Sequence, residues 1–387
     1  MPKIYRAAVI GHTGRGNYGH QLDLAFQGLP GVEVIAVADP DAEGRAAAAK
    51  RIHAQLSYAD YREMLARVKP DLVSVCPRWV DEHHDMVIAC AEAGVKGIFC
   101  EKPFARTLAE ADAMLAACER HNTKLAVAHR RANPYEMHAK RLIEEGLIGE
   151  VQMIRRHGKA DHRAGAMDLI VLGTHLLDDV RFFAASDVHW AHAHVTQDGR
   201  EVTLADIHAG DEGVGLIAGN GLAAYFVFRN GVTAHFDSYR SDDADTRERV
   251  NWLGIEIHGS AGILSLRGAP LGELYCYPYR LWLPGDRDGS WERITLPEWD
   301  NKSDGQPRSP NEKFQLNNRL FVEELIRAIE EDREVQAVTS GHDARAVLEM
   351  IMAIHESQRV RGRVYFPLQN RDNPYEVWRN EAGCGGE

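Results

Sequence analysis

Short continuous apolar runs alternate with longer runs of helical spacing along the first third of the chain. A continuous apolar run that is bounded by turn residues is typical of a strand buried on both faces. Such runs occupy residues 5–10, 32–38, 71–76, 97–100 and 124–128. Helical patterns fill the segments between them, at residues 42–51, 60–67 and 82–93 and from Thr107, where Glu110 completes a capping box. This alternation predicts βαβ units and a doubly wound parallel sheet.

The pattern changes after about residue 129, where strands predominate. Strand patterns cover residues 151–157, 188–196, 222–228, 232–239, 255–258 and 263–266, with a hairpin turn at Arg229-Asn230-Gly231. Helices are predicted at residues 167–183, 314–331 and 342–359, and a long polar loop at residues 284–310. We therefore expect a second α/β domain with an open, mostly antiparallel mixed sheet. The predicted division is a first domain over residues 1–128, a second over 129–368 and a tail over 369–387.

Composition is that of an ordinary globular protein, with 387 residues of which 44% are hydrophobic and 26% charged. The net charge of −12, without a lysine- and arginine-rich block, repels phosphate backbones and anionic lipids, so neither nucleic acid nor a membrane is an expected partner. No apolar run approaches the roughly 20 residues of a membrane helix, and the first residues lack the features of a signal peptide. Six scattered cysteines without a Cys-x-x-Cys motif suit reduced thiols. These features predict a cytoplasmic protein.

A glycine-rich loop separates the first predicted strand from an apolar helical pattern. It contains Gly14-x-Gly16-x-x-Gly19, and Asp39 ends the next strand 20 residues later. Such glycines let a backbone approach a pyrophosphate, and an acid at this distance accepts hydrogen bonds from an adenosine ribose. Asp39 would repel a 2′-phosphate, which favours NAD over NADP. The candidate cofactor-binding residues here are Thr13, Gly14, Arg15, Gly16, Asn17, Tyr18, Gly19 and Asp39.

This loop is longer than the minimal turn, because the glycine pattern begins three residues after Gly11. Arg15 lies inside the extension. It is a candidate to bind the pyrophosphate or a 2′-phosphate, or else it is simply solvated.

Glu101-Lys102-Pro103 follows the predicted strand at residues 97–100. Proline disfavours the helical conformation for the residue before it, so Lys102 is expected to be extended at the strand end, where ligands bind in open α/β sheets. The alternative is an exposed and inert Glu–Lys pair. Pro77-Arg78-Trp79 follows the neighbouring strand, and Trp79 either stacks on the nicotinamide side or caps the core. Further candidate cofactor-binding residues are therefore Pro77, Arg78, Trp79, His83, Glu101 and Lys102.

His175 lies in the helical pattern of residues 167–183 with Asp178 and Asp179 three and four positions later. One carboxylate at this spacing can orient the imidazole while the other ring nitrogen faces a substrate. Asp168, seven positions earlier, would share that face if the helix extends so far. The alternative is an ordinary surface pair of histidine and aspartate.

Several short motifs follow one another in a specific order over nearly the whole chain. They are Gly14-x-Gly16-x-x-Gly19, Asp39, Pro77, His83 placed 11 residues before Gly94, Glu101-Lys102-Pro103, Arg131 before Pro134, Ile148-Gly149-Glu150-Val151, and Gly173-x-His175-x-x-Asp178. Together they resemble the glucose-fructose oxidoreductase / inositol dehydrogenase (Gfo/Idh/MocA) family of nicotinamide-dependent oxidoreductases. The resemblance implies a Rossmann domain followed by an α/β domain whose open sheet often forms homodimer or homotetramer contacts.

The resemblance also implies oxidation or reduction of a ring hydroxyl or carbonyl of a sugar, polyol or related small molecule. By analogy, Lys102 and His175 form the catalytic pair, with Asp178 in the histidine motif, and His129 stands near nicotinamide and substrate. Family members commonly carry an aspartate four residues before the histidine, where this chain has Val171. Either Asp168, Asp178 or Asp179 replaces it, or the chemistry differs.

The sequence is therefore compatible with three functions. The first is NAD-dependent dehydrogenation, in which His175 takes the hydroxyl proton and Lys102 stabilises the alkoxide. The second is an enzyme that retains NAD and oxidises its substrate only transiently, for glycoside cleavage or elimination. The third is a non-catalytic NAD-binding sensor or subunit. Substrate contacts are expected from His129, Arg131, Lys159, Arg163, Asp168 and His175. His192 and His194 share a strand face, but without a nearby carboxylate or cysteine we expect no metal.

Overall fold

The computed structural model describes residues 4–129, 131, 133–245, 254–267, 272–283, 285 and 289–384. The chain forms two compact units, each discontinuous in sequence. The first unit contains Met1–Ala132, Asp211–Gly215 and Phe314–Leu348, and the second contains Asn133–Gly210, Leu216–Lys313 and Glu349–Glu387.

A six-stranded parallel sheet forms the centre of the first unit. Its strands lie in the spatial order Leu56–Tyr58, Val32–Ala38, Tyr5–Ile10, Leu72–Val75, Gly97–Cys100 and Lys124–Val127. The order reverses next to Tyr5–Ile10, which gives this Rossmann sheet a switch point between that strand and Leu72–Val75. The connecting α-helices are Ala42–Ile52, Tyr61–Val68, His83–Glu92 and Leu108–Arg120, and 3₁₀ helices occupy Gly19–Leu24 and Val80–Glu82.

Residues 314–348 belong to the first unit although they lie far along the chain. Helix Pro310–Glu330 contributes Phe321, Val322, Leu325 and Ala328 to the buried core beneath the parallel sheet. The Phe321 ring stacks on Phe99, with ring centroids 5.3 Å apart. The compact units therefore do not follow the linear division at residues 128 and 129, because the apolar side of this helix packs on the first sheet.

The second unit is built on a ten-stranded mixed sheet, and among its described residues only Val151–His157 and Thr233–Tyr239 pair in parallel. In spatial order the strands are Glu292–Ile294, Glu273–Tyr277, Ile263–Arg267, Gly254–Gly259, Val151–His157, Thr233–Tyr239, Gly221–Phe228, Val188–Gln197 and Val364–Tyr365, with Arg200–Glu201 beside Val188–Gln197. His208–Ala209 and Leu216–Ile217 form a separate ribbon. Helices of this unit are Pro134–Glu144, Ala166–Val171, Gly173–Ala184, Leu204–Asp206 (a 3₁₀ helix), Pro297–Asp300 and Pro374–Cys384, and helix Gly341–Val360 contributes residues from 349 onward.

The predicted fold class is confirmed, with several local differences. The strand Leu56–Tyr58 was not expected, and the segment after the glycine-rich loop forms a 3₁₀ helix instead of an α-helix. The helix expected over residues 167–183 divides at Leu172 into two. The polar stretch 284–310 contains a short strand and a short helix, and the expected tail contains the helix Pro374–Cys384. Among the described residues, no helix is long and apolar enough to cross a membrane.

Candidate active site

The glycine-rich loop lies on the carboxyl edge of the parallel sheet of the first unit. It follows strand Tyr5–Ile10, whose neighbour Leu72–Val75 ends just before Pro77, and the next strand, Gly97–Cys100, ends just before Glu101. A β-carbon at Gly16 would collide with the backbone nitrogen of Arg78, and one at Gly19 would collide with the Glu101 carboxylate. Both positions therefore need glycine for close packing. Gly14 has a φ of +88° and faces open space, so a ligand can approach its backbone.

Asp39 lies fully buried beneath the loop. Its Oδ2 atom accepts hydrogen bonds from the backbone nitrogen of Thr13 at 3.0 Å, from Thr13 Oγ1 at 2.8 Å and from Tyr18 Oη at 2.8 Å. Its Oδ1 atom accepts a bond from the nitrogen of Asp41 at 2.9 Å. Burial and the bond to Asp39 raise the pKa of the Tyr18 phenol well above its usual range. Asp39 thus anchors the glycine-rich loop with the oxygen atoms that were expected to bind ribose.

The Arg15 side chain is not simply solvated, because it contacts two carboxylates and an aromatic ring. Its Nη2 atom lies 2.6 Å from Asp81 Oδ2, its Nε atom lies 3.0 Å from Glu82 Oε1, and the guanidinium stacks 4.3 Å from the centroid of the Trp79 ring. His12 Nδ1 also approaches Glu82 Oε1, at 2.6 Å. Burial raises the pKa of Glu82, although His12 and Arg15 both act to lower it. These contacts tie the loop extension to the segment that follows Pro77.

Glu101 and Lys102 are buried, so the exposed-pair interpretation is wrong. The Glu101 side chain is fully inaccessible and accepts the backbone N–H of Lys102 on Oε2 at 2.7 Å. Its Oε1 atom forms a close ion pair with Nδ1 of His20. Burial by itself would raise the pKa of Glu101, but His20 and Lys102 hold it below its usual value. A charged, water-excluded group therefore lies beside the glycine-rich loop.

His83 does not offer a ring nitrogen to a cofactor in this structure. The residue is fully buried, its Nδ1 atom lies 2.8 Å from the carbonyl oxygen of Pro103, and its Nε2 atom lies 2.7 Å from that of Pro77. His83 was predicted from the sequence as a cofactor-binding residue, but both of its ring nitrogens contact backbone carbonyl oxygens. Arg78 Nη2 lies 4.0 Å from Glu212 Oε1.

His175, Asp178 and Asp179 are buried in helix Gly173–Ala184 of the second unit, so they do not form a surface pair. Asp179 Oδ2 lies 2.7 Å from Nη2 of Arg156, which is also buried. This ion pair holds Asp179 against strand Val151–His157, which contains Arg156. Val171 is buried as an ordinary apolar residue.

Asp168 joins three segments of the second unit. Its Oδ2 atom accepts hydrogen bonds from the backbone nitrogen of Lys159 at 2.7 Å and from Ser238 Oγ at 2.8 Å. A β-carbon at Gly158 would collide with the same oxygen. Burial raises the pKa of Asp168 to about 6, against the lowering effect of Ser238 and Lys159.

The titration of Asp168 predicts a measurable pH effect. A carboxyl group with a raised pKa stabilises the fold below its unfolded value of 3.8, and that contribution is lost as the pH rises through about 6. Asp168→Asn removes the titration but keeps an oxygen that accepts from Lys159 and Ser238. We expect the stability of the wild type relative to Asp168→Asn, measured by urea unfolding, to fall by about 1 kcal/mol from pH 5 to pH 7. Asp161→Asn is the matched control, because the pKa of Asp161 is lowered and its difference should stay constant over this range.

The remaining candidate substrate residues also have carboxylate or backbone neighbours. In the first unit, His129 is buried, and Arg131 Nη1 lies 2.9 Å from Asp343 Oδ2. In the second unit, Arg163 Nη2 lies 2.8 Å from Asp161 Oδ2, and the Lys159 backbone binds Asp168. Within the described ranges, no group of three or more potential ligands is arranged to hold a metal.

Several contacts were not found from sequence, namely those of His12, His20, Asp81, Glu82, Arg156 and Ser238. The local signals were the positions of His12 inside the glycine-rich loop and of His20 next to Gly19. Each of the other partners is distant in the chain, so its pairing depends on the tertiary fold.

A model of the Gfo/Idh/MocA family, described as an oxidoreductase family with an NAD-binding Rossmann fold, matches residues 5–129. D-apiose dehydrogenase from Paraburkholderia graminis is 28% identical over 378 residues, which cover 92% of this chain and 88% of that protein. Levoglucosan dehydrogenase from Pseudarthrobacter phenanthrenivorans is 29% identical over 288 residues, which cover 65% of this chain and 72% of that protein.

A solved structure of levoglucosan dehydrogenase with NADH and levoglucosan matches with a TM-score of 0.73 at 22% identity, covering 95% of this chain and 100% of that one. This likeness shows the fold. The family match confirms NAD as the cofactor and oxidoreductase as the class of enzyme. Residues 5–129, which contain the glycine-rich loop and the parallel sheet, therefore match the NAD-binding Rossmann fold of the Gfo/Idh/MocA oxidoreductase family.

Proposed function

We propose that the protein transfers a hydride between NAD and a ring hydroxyl or carbonyl of a sugar, polyol or related small molecule. The observation that carries the proposal is the buried Glu101–Lys102 turn beside the glycine-rich loop at the carboxyl edge of the parallel sheet. D-apiose and levoglucosan, which relatives are named for, define the substrate class to test first.

The first unit fits the cofactor because Gly14 leaves open space above the loop backbone. In this proposal Thr13, Gly14, Arg15 and Asn17 hold the phosphates and ribose. The close-packed residues of the loop give it its shape, and they are Gly16, Tyr18, Gly19 and Asp39. The nicotinamide end lies with Pro77, Arg78, Trp79, Glu101 and Lys102, and His83 supports that end from beneath. When bound, NAD supplies the hydride acceptor.

Lys102 and His175 carry the proton chemistry in this proposal. His175 takes the hydroxyl proton of the alcohol, and the Lys102 ammonium stabilises the oxygen as it becomes negative. In the reverse direction the same groups return the proton to a carbonyl. Of the acids near His175, Asp178 is the one proposed to orient the ring, because Asp179 already pairs with Arg156.

The proposed substrate contacts are His129, Arg131, Lys159, Arg163, Asp168 and His175. Two of them are arginines whose charge is balanced by Asp343 and Asp161. A balanced guanidinium donates hydrogen bonds without requiring an anionic ligand, which favours a neutral hydroxyl-rich substrate over a carboxylated one.

The test is the absorbance of NADH at 340 nm, measured with purified protein, NAD and a panel of D-apiose, levoglucosan and myo-inositol. Calorimetric titration with NAD is run in parallel. Net NADH with at least one compound supports simple dehydrogenation. Conversion of a substrate without net NADH favours transient use of a retained cofactor. NAD binding without conversion of any substrate supports the non-catalytic alternative. Absence of NAD binding by protein that also carries no copurified NAD contradicts all three.

We propose that Arg15 releases the carboxylates of Asp81 and Glu82 and binds a cofactor phosphate when NAD binds. Asp81 competes for this guanidinium at 2.6 Å, and a partly exposed ion pair is worth about 0.2–1 kcal/mol. We therefore expect Asp81→Asn to tighten NAD binding by about 1.4- to 5-fold in calorimetric titration. Asp85→Asn is the control, because it removes the same charge from the exposed side of the following helix. Weaker binding by Asp81→Asn would mean that the ion pair holds the loop in its binding conformation.

The open sheet of the second unit is proposed to form homodimer or homotetramer contacts, which light scattering on the eluting protein tests directly. A cytoplasmic location stays a prediction. The free cysteines of the described residues, Cys76, Cys90, Cys100, Cys118 and Cys276, agree with it.

A further inference from the structure

His83 links two turns at the carboxyl edge of the parallel sheet. Its Nε2 atom lies 2.7 Å from the carbonyl oxygen of Pro77, which follows strand Leu72–Val75. Its Nδ1 atom lies 2.8 Å from the carbonyl oxygen of Pro103, which follows strand Gly97–Cys100. The imidazole therefore bridges the turns that leave two adjacent strands.

Both partners of the His83 ring are carbonyl oxygens, and a carbonyl oxygen only accepts hydrogen bonds. The ring nitrogen that carries a proton donates to one of these two carbonyl oxygens, and the tautomer decides which one. Because His83 is fully buried, water cannot replace this bond, and a buried carbonyl that loses its donor is costly. A ring that merely filled space in the core would need no such pair of partners.

Each bridged turn contains a part of the proposed site. Pro103 directly follows Lys102, whose backbone N–H is bound by Glu101 Oε2 at 2.7 Å. The Lys102–Pro103 segment is thus held on one side by Glu101 and on the other by His83. The second turn continues into Arg78, whose backbone packs against Gly16 so closely that no side chain fits there. His83 therefore connects the Pro77–Arg78 turn, which packs against Gly16 of the glycine-rich loop, to the Lys102–Pro103 segment.

We propose that His83 is a positioning residue that fixes Lys102 relative to the glycine-rich loop. This inference rests on the proposed function, because it assigns a purpose to the position of Lys102. His83 touches neither reacting group and acts through the two carbonyl groups. Misplacing a reacting group by about 1 Å costs on the order of a hundredfold in rate, so a loss of the bridge should reduce kcat.

The experiment compares His83→Phe, which keeps a planar ring and removes both ring nitrogens, with His83→Gln, which keeps one donor group. His84→Gln is the control, since His84 is the next residue of the same helix and its ring contacts the largely exposed Asp85. We expect His83→Phe to lower kcat by about tenfold to a hundredfold with a KM for NAD within about threefold of wild type. His83→Gln should recover part of kcat, and His84→Gln should match wild type.

A folded His83→Phe protein with wild-type kcat would overturn the inference, as would an equal loss of kcat in His83→Phe and His84→Gln. If His83→Phe does not fold, the partial loss of kcat expected for His83→Gln decides. A test that needs no substrate is the nitrogen-15 spectrum of the histidine side chains in the wild-type protein. A ring N–H of His83 that is protected from exchange with water supports the bridge, and a ring N–H in fast exchange with water contradicts it. This spectrum still tests the bridge if no compound of the panel is oxidised, in which case the proposed function fails separately.

Discussion

Replacing Lys102 by methionine should lower kcat by at least about a hundredfold and leave NAD binding intact. Methionine keeps most of the volume of the lysine stem and removes the ammonium that would stabilise the alkoxide. Lys102 is 6% exposed, so water cannot substitute for the lost charge as it would at a surface. The cofactor contacts of the loop lie on other residues, which is why binding should persist.

The measurement is the initial rate of NADH formation with the best compound of the sugar and polyol panel, together with calorimetric titration with NAD. Lys96→Met is the matched control, because Lys96 precedes the same strand but is about half exposed and pairs with the half-buried Asp71. Turnover of Lys102→Met within threefold of the control would remove Lys102 from the mechanism. A parallel loss of NAD binding would assign the lysine to the cofactor instead.

The second large effect is expected on stability, at the buried ion pair of Asp179 and Arg156. Asp179→Ala leaves the Arg156 guanidinium buried without the carboxylate that lies 2.7 Å away. Burial lowers the pKa of Arg156, and the negative charge of Asp179 is the largest influence that raises it. Breaking a buried pair by removing one partner costs about 3–5 kcal/mol, which urea unfolding measures as a lower midpoint.

Glu63→Ala is the control for the loss of Asp179. Glu63 also pairs with an arginine, Arg67, at 2.9 Å on a helix, but both side chains are largely exposed. Its loss should cost less than about 0.5 kcal/mol. Equal midpoints for the two variants would contradict the structural assignment of Asp179. A fully stable Asp179→Ala protein without activity would return Asp179 to the catalytic group.

The fold was predictable because continuous apolar strands and intervening helical patterns repeat through residues 5–128. Strands buried on both faces require such runs, and the helices between them must cross over, so the sheet is parallel. The glycine pattern contains Gly16 and Gly19, two positions at which the structure leaves no room for a side chain. These are local constraints, and each can be read within about 30 residues.

Contacts between distant residues were not predictable in the same way. Helical spacing in residues 314–331 indicates an apolar stripe but not which sheet the stripe covers. The burial of Phe321 against Phe99 decides that question. Similarly, Asp39 was expected to offer its oxygen atoms to a ribose, but Thr13 and Tyr18 bind them. A polar side chain at a strand end has many possible partners, and only the closed fold selects one.

At the turn that contains Lys102, the sequence determined some features and the tertiary structure determined others. The sequence by itself determined that a lysine stands between an acid and a proline at a strand end, behind a dinucleotide-binding pattern and ahead of His175. It could not distinguish an exposed pair from a buried one, because the three residues are the same in both cases. The tertiary structure decided for burial, through Gly19 packed on Glu101, His20 paired with it, and His83 bound to the carbonyl of Pro103. The physical reason is that desolvation of a charge is set by neighbours from several strands, and these meet only when the sheet has formed.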